Sequence, residues 1–228
     1  MDKLPQGKAK AALVEDMFDR IAPRYDLVNR LMTFRLDVRW RRKTVRELSL
    51  PKGSKILDLA CGTGDMCNDL LAAGLSPIGV DFSQGMLGAS RTLAPLVRAD
   101  VLCLPLSENS IDGVTCGFAL RNFTDLDSFF QEISRVVKPA GRIALLDVAQ
   151  PKSRILRTGH SLYFGKIVPL IGSALSDKSA YRYLPKSVSY LPPPDEMMQS
   201  LKESGFSDAK RQLLSGGITQ MISATRDL

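Results

Sequence analysis

A chain of 228 residues, 44% hydrophobic and 24% charged, is long enough to bury a sizeable core as one domain and too close to the globular average to be disordered, collagen-like or mucin-like. The net charge of +7 is unevenly spread, with 12 Lys/Arg against 6 Asp/Glu in residues 1–46, 8 against 12 in 47–148, and 11 against 6 in 149–228. Basic flanks around an acidic middle fit either solvated helices or attraction to an anionic surface, lipid or nucleic acid.

Nothing at the start reads as a signal peptide. The charge-free apolar run at residues 167–176 contains Pro169 and Gly172 and is too short to span a bilayer, so a soluble, cytoplasmic protein is expected. Leu13, Val14, Met17, Phe18 and Ile21 recur at helical spacing, Pro23 interrupts, and an apolar-basic stretch continues through Trp40, giving a helical lead-in over residues 1–50. Strands and helices then alternate: strand 55–60, a helix after Gly64, strand 76–82, a helix after Ser83, a short strand at 96–99, and strand 111–120. Leu126, Phe129, Phe130, Ile133 and Val137 mark one face of a helix that Thr124 with Asp127 is expected to cap and Pro139 to stop, before the buried strand 142–149.

Short apolar strands joined by helices imply a parallel sheet covered on both faces, an open doubly wound α/β fold. An insert follows at 151–193, of basic and apolar helical stretches and then a loop rich in Pro and Tyr from Tyr181 on, before a helix from about Asp195 to Ser204 and strands near 207–213 and 218–225, all within a single domain of core 51–150 and C-terminal part 194–228. His160, the single histidine, is read as structural. Cys61, Cys67, Cys103 and Cys116 lack CxxC spacing, which suits a reducing compartment and leaves no metal-ligand cluster.

The chemistry is concentrated at LDLACGTGD (57–65), where a strand ends in Asp58 and turns through Gly62, Thr63 and Gly64 into a helix. Asp81 ends the next strand, where an acid accepts both hydroxyls of an adenine-bound ribose, and Asp100 follows the third strand within reach of an adenine amino group. Nicotinamide dinucleotides use a similar set, so charge decides: Asp65 at the helix start repels a pyrophosphate, whereas Asp58, Asp65 and the acidic middle segment favour the cationic end of S-adenosyl-L-methionine.

With YDLVNRLMTFRLDVRWRR (25–42), VDFSQGML (80–87), GFALRNFTD (117–125), LIGSALSDKSAYRYLPKSV and LLSGGITQ, that motif resembles the menaquinone and ubiquinone biosynthesis C-methyltransferases over nearly the whole chain. The resemblance implies a class I S-adenosylmethionine-dependent, Rossmann-like fold in which the insert covers the substrate side. It also implies methylation of a ring carbon of a reduced polyprenyl quinone, in the first place demethylmenaquinol to menaquinol. Carried over by motif position, Thr63, Asp81, Asp100 with Val101, and Gly117 contact the cofactor, Tyr25 closes over it, and Arg121 and Asn122 face the substrate. Ala119 and Ala140 stand where the family has glycine, and Ile222 where histidine is usual. Arg121 is then expected to hold a phenolate, with a bridged water or a carboxylate such as Asp125 taking the proton. The prenyl tail and basic lead-in suggest peripheral contact with an anionic membrane. No Asn-Pro-Pro-Tyr-like element for nucleic-acid methylation follows the fourth strand. A different phenolic acceptor, a non-catalytic cofactor-binding subunit and an NAD-dependent oxidoreductase remain as other readings, and oligomeric state is left open.

Overall fold

The computed structural model describes residues 6–149, 151, 153, 163, 183 and 187–228. Most of the expected insert, His160, the run 167–176 and most of the basic stretch 152–175 lie outside the described residues.

Three helices, α1 (Gly7–Ile21), α2 (Tyr25–Met32) and α3 (Leu36–Glu47), precede the sheet. Pro23 sits in the 3₁₀ turn Ala22–Arg24 that separates the first two, where its missing N–H breaks no helix interior. The helical periodicity has a clear purpose: Met17 and Ile21 pack on Val28 and Met32 of α2. In α3, Trp40 is buried and its indole N–H donates to Ser215 Oγ at 2.9 Å.

Seven strands form one sheet in the order β3-β2-β1-β4-β5-β7-β6. They are β1 (Lys55–Leu59), β2 (Ser76–Asp81), β3 (Leu96–Arg98), β4 (Ile111–Gly117), β5 (Val137–Val148), β6 (Phe206–Leu214) and β7 (Thr219–Arg226). The first five pair in parallel, and β7 inserts antiparallel between β5 and β6. The crossovers contain α4 (Asp65–Ala72), α5 (Gln84–Gly88) and α6 (Leu126–Val136), while α7 (Pro194–Glu203) precedes β6. Successive strand residues point to opposite faces, so Leu57 joins the cluster under α6 and α7 whereas Ile56 joins that under α3 and α4. The strand order reverses between β1 and β4, which opens a crevice at their carboxyl ends.

Three boundaries differ from expectation. The fourth strand stops at Gly117 because Phe118 takes φ 61, outside extended geometry, and Leu120–Asn122 form a 3₁₀ turn. Helix α6 is capped by Asp125, not by Thr124 with Asp127: its extended backbone lets Oδ1 accept from the amides of Asp127 and Ser128 at 3.0 and 3.1 Å. That helix ends at Val136, before Pro139, since Val137 already pairs with Ile111. The register then shifts before Arg142 pairs with Gly113, and in the intervening bulge Ala140 is held at φ 60. Ile222 lies in β7, fully buried beside Leu145 in the core.

Candidate active site

At the end of β1 the chain turns through Gly62 and Gly64, both at positive φ, and a Cβ on Gly64 would meet Thr92 Cγ2 at 2.5 Å. Asp81 stitches this turn to the next crossover: Oδ2 accepts from the Gly62 amide at 2.7 Å and Oδ1 from the Ser83 amide at 2.9 Å. Burial raises its pKa against the pull of those amides. Thr63 Oγ1 donates to Asp26 Oδ1 at 2.6 Å, tying the turn to α2. Asp100 Oδ1 accepts from the Leu102 amide at 2.9 Å, and Val101 is buried beside it.

Two cavities meet here. The smaller cavity is lined by Tyr25, Gly62, Asp81, Asp100, Val101, Gly117 and Asn122, with Ala11, Val14, Glu15 and Phe18 of α1 as one wall. A larger apolar cavity is lined by Tyr25, Asp26, Asp58, Thr63, Asp65, Met66, Trp40 and Arg121, and it shares Phe18, Tyr25, Ala60, Gly62, Gly117 and Phe118 with the first. Tyr25 therefore stands at the junction, edge-on to Phe18 with centroids 5.9 Å apart, and burial raises its phenol pKa. Among the described residues the smaller cavity is lined by three carboxylates, Glu15, Asp81 and Asp100, and by no lysine or arginine. That charge suits an adenosyl ligand with a cationic sulfur and offers nothing to a diphosphate.

Asp65 does not play the part expected of it. Arg30 and Arg41 both reach it at 3.0 Å, so its charge is compensated and repels no diphosphate. Asp58 is wholly buried, accepting from Thr115 Oγ1 at 2.8 Å and Cys67 Sγ at 3.3 Å, and burial lifts its pKa to about 7. The uncompensated carboxylate on the larger cavity is instead Asp26, whose Oδ2 has no partner among the described residues.

Arg121 and Asn122 are brought to the crevice but divided between its two cavities. Arg121 Nη1 forms an ion pair with buried Asp147 at the end of β5 and donates to the Phe118 carbonyl at 2.6 Å, while Nε donates to Ser187 Oγ at 3.1 Å. Nη2 has no partner among the described residues. Asn122 Oδ1 accepts from the Tyr183 hydroxyl at 3.2 Å. Asp125 is excluded as proton acceptor: it faces neither cavity, and its oxygens are engaged by the α6 amides and Ser128 Oγ, which lower its pKa. Asp147 and Asp26 escaped the sequence reading. The one signal for Asp147 was a carboxylate inside the apolar run RIALLDVA.

Comparison with known proteins agrees with this geometry. Residues 6–226 match the profile of the ubiE/COQ5 methyltransferase family. A demethylmenaquinone methyltransferase of Roseiflexus castenholzii is 43% identical over 94% of this chain and 93% of its own. A protein of Syntrophotalea carbinolica named ubiquinone/menaquinone biosynthesis C-methyltransferase UbiE is 41% identical over 93% of each chain. Among solved structures, an S-adenosylmethionine-dependent methyltransferase of Thermotoga maritima superposes with a TM-score of 0.64 at 18% identity, covering 92% of this chain and 98% of that one. Phosphoethanolamine N-methyltransferase 2 of Haemonchus contortus, bound to S-adenosyl-L-methionine, gives 0.61 at 15% identity over 82% of this chain, which spans about half (52%) of that one. These likenesses identify the fold as the class I, Rossmann-like methyltransferase fold.

Proposed function

Because the chain belongs to the ubiE/COQ5 methyltransferase family, we propose that it methylates a ring carbon of a reduced polyprenyl quinone, converting demethylmenaquinol to menaquinol. The observation that carries this reading is the continuity of a carboxylate-lined cavity with a larger apolar one through Tyr25 and the glycine turn. S-adenosyl-L-methionine supplies an activated methyl carbon on a sulfonium.

Residues 1–228 act as one unit in this reading, with the lead-in and insert closing the crevice of the core. Asp81 and Asp100 hold the ribose and adenine, Gly62 and Gly117 let the ligand approach the backbone, and Val101 packs on the base. Asp26 and Thr63 present negative charge and a hydrogen-bonding edge to the cationic end. Tyr25 excludes water where the cavities join. Arg121 is held rigid by Asp147, so Nη2 can donate to the quinol oxygen without reorganising, which favours the phenolate and enriches the ring carbons ortho and para to it. Since Asp125 is engaged elsewhere, a water beside Arg121 takes the phenolic proton. Asn122 orients the turn through Tyr183. The acceptor resides in a bilayer, so the chain is read as a peripheral visitor to an anionic membrane face.

Incubating the protein with radiolabelled methyl donor and demethylmenaquinol tests the reading directly. Label is expected in menaquinol, and Arg121→Ala is expected to abolish most transfer while cofactor binding persists. Transfer to a different phenol but to no quinol would overturn it.

A further inference from the structure

One face of the lead-in carries a largely exposed apolar stripe, whose one ring contact among the described residues is that of Phe34 with Tyr163, centroids 6.0 Å apart. Leu27 and Leu31, one turn apart on α2, are 56% and 48% exposed, and Phe34 at the following turn is 76% exposed. Exposed apolar residues scattered singly need no explanation, but a pair one helical turn apart with a third in the adjoining turn does. Phe34 also lines the larger cavity, alongside Met32 and Leu36, so the stripe adjoins the mouth of the acceptor site.

Charge on the same segment is segregated. Residues 23–46 hold eight Lys/Arg and two Asp. Both carboxylates turn inward, Asp26 to Thr63 and Asp37 to Thr33 and Arg41. Arg35 and Arg39 are exposed and join no ion pair among the described residues. An outward surface of one sign, with apolar side chains protruding from it, fits an anionic lipid interface, which accepts insertion without offering a shaped pocket.

We propose that α2 and the turn after it dock on an anionic lipid surface. Leu27, Leu31 and Phe34 enter the boundary between headgroups and acyl chains, Arg35 and Arg39 meet the headgroups, and the larger cavity opens toward the bilayer. The quinol reading supplies what passes through that mouth; the docking stands on the surface itself.

Co-sedimentation with phosphatidylcholine vesicles, with and without phosphatidylglycerol, measures this on the full chain. Wild type is expected to bind the anionic vesicles, Leu27→Asp/Leu31→Asp to reduce partitioning at least about tenfold, and Arg35→Gln/Arg39→Gln to reduce it about tenfold on anionic vesicles alone. Both pairs lie outside the cavity linings, so turnover of a short-tailed, soluble naphthoquinol is expected to be unchanged. Absence of wild-type binding, or equal binding by Leu27→Asp/Leu31→Asp, overturns the docking. So does self-association in analytical ultracentrifugation that this variant abolishes, which would assign the face to a second copy. If soluble quinol is methylated while vesicle binding ignores both variants, the docking falls and the reaction stands; lipid binding with no methylation of any quinol does the reverse.

Discussion

Asp58 at the end of β1 carries its carboxyl at about 7, because burial outweighs its hydrogen bonds from Thr115 and Cys67. An unfolded aspartate titrates near 4, so between roughly pH 4 and 7 the folded chain holds a proton that the unfolded chain has released. Stability from this group therefore falls as pH rises through that window, and above 7 the full cost of roughly 4 kcal/mol is present. Asp58→Asn removes the titration. Its stability relative to wild type in urea unfolding is expected to improve by roughly 2–3 kcal/mol between pH 5 and 8, and a pH-independent difference would refute the assignment. Asp147 faces the opposite problem, since it compensates a buried guanidinium. Asp147→Leu is expected to cost about 3–5 kcal/mol by leaving that charge unpaired. Asp147→Asn, which keeps a hydrogen-bonding oxygen, is expected to fold and to lower kcat for methyl transfer more than it raises the KM for the methyl donor. The residues around the glycine turn were legible because Gly62, Thr63, Gly64 and Asp81 lie at short, recurrent spacings tied to strand ends. The Arg121–Asp147 pair was not, because it spans 26 residues and exists only once β4 and β5 lie side by side.

Helix α1 forms a wall of the smaller cavity and is held down by polar contacts along its length. Lys10 Nζ donates to the Phe123 carbonyl at 2.5 Å over the ring of Tyr190, Glu15 pairs with Arg98 at 2.9 Å, and Asp19 Oδ1 accepts from Ser83 Oγ at 2.5 Å and the Gly85 amide at 2.8 Å. Asp19→Ala strips two donors at the start of α5 of their acceptor. A loss of about 1–3 kcal/mol is expected, together with a higher KM for the methyl donor and little change in kcat, since Asp19 does not line the larger cavity. The bulge in β5 has a simpler fault: Ala140 pays a steric penalty at φ 60 that glycine escapes. Ala140→Gly is expected to stabilise the fold by about 0.5–1 kcal/mol in urea unfolding. Element type was legible from periodicity throughout the core, because strands of two-residue repeat and helices of 3.6-residue repeat bury different patterns. Ends were less so, since Asp125 and Thr124 are both good caps and only the backbone of Asp125 decides between them.

For the whole molecule, the sheet order follows from five parallel strands and short crossovers, and the reversal between β1 and β4 brings acids from separate motifs into one crevice. The acidity of the middle segment is thus not spread over the surface at random, although Asp65 shows that local arginines can cancel part of it. What remains uncancelled lies in the smaller cavity, where Asp81 and Asp100 form no ion pair among the described residues, Glu15 being paired with Arg98. This sets a thermodynamic test that needs no acceptor. A ligand bound only by the folded chain stabilises it by about 2.7 kcal/mol at one hundred times its dissociation constant, and a domain of this length shifts by roughly 2–4 °C in Tm per kcal/mol. S-adenosyl-L-methionine at that excess is expected to raise the Tm by about 5–10 °C, whereas nicotinamide dinucleotide, whose diphosphate finds no cation in the smaller cavity, is expected to leave it unmoved. Asp81→Ala removes an acid from the crevice and frees the Gly62 amide, so it should abolish the cofactor-induced shift even where the protein remains folded. An equal shift from the dinucleotide would mean that the arginines at Asp65, rather than the acids of the smaller cavity, govern what the crevice accepts.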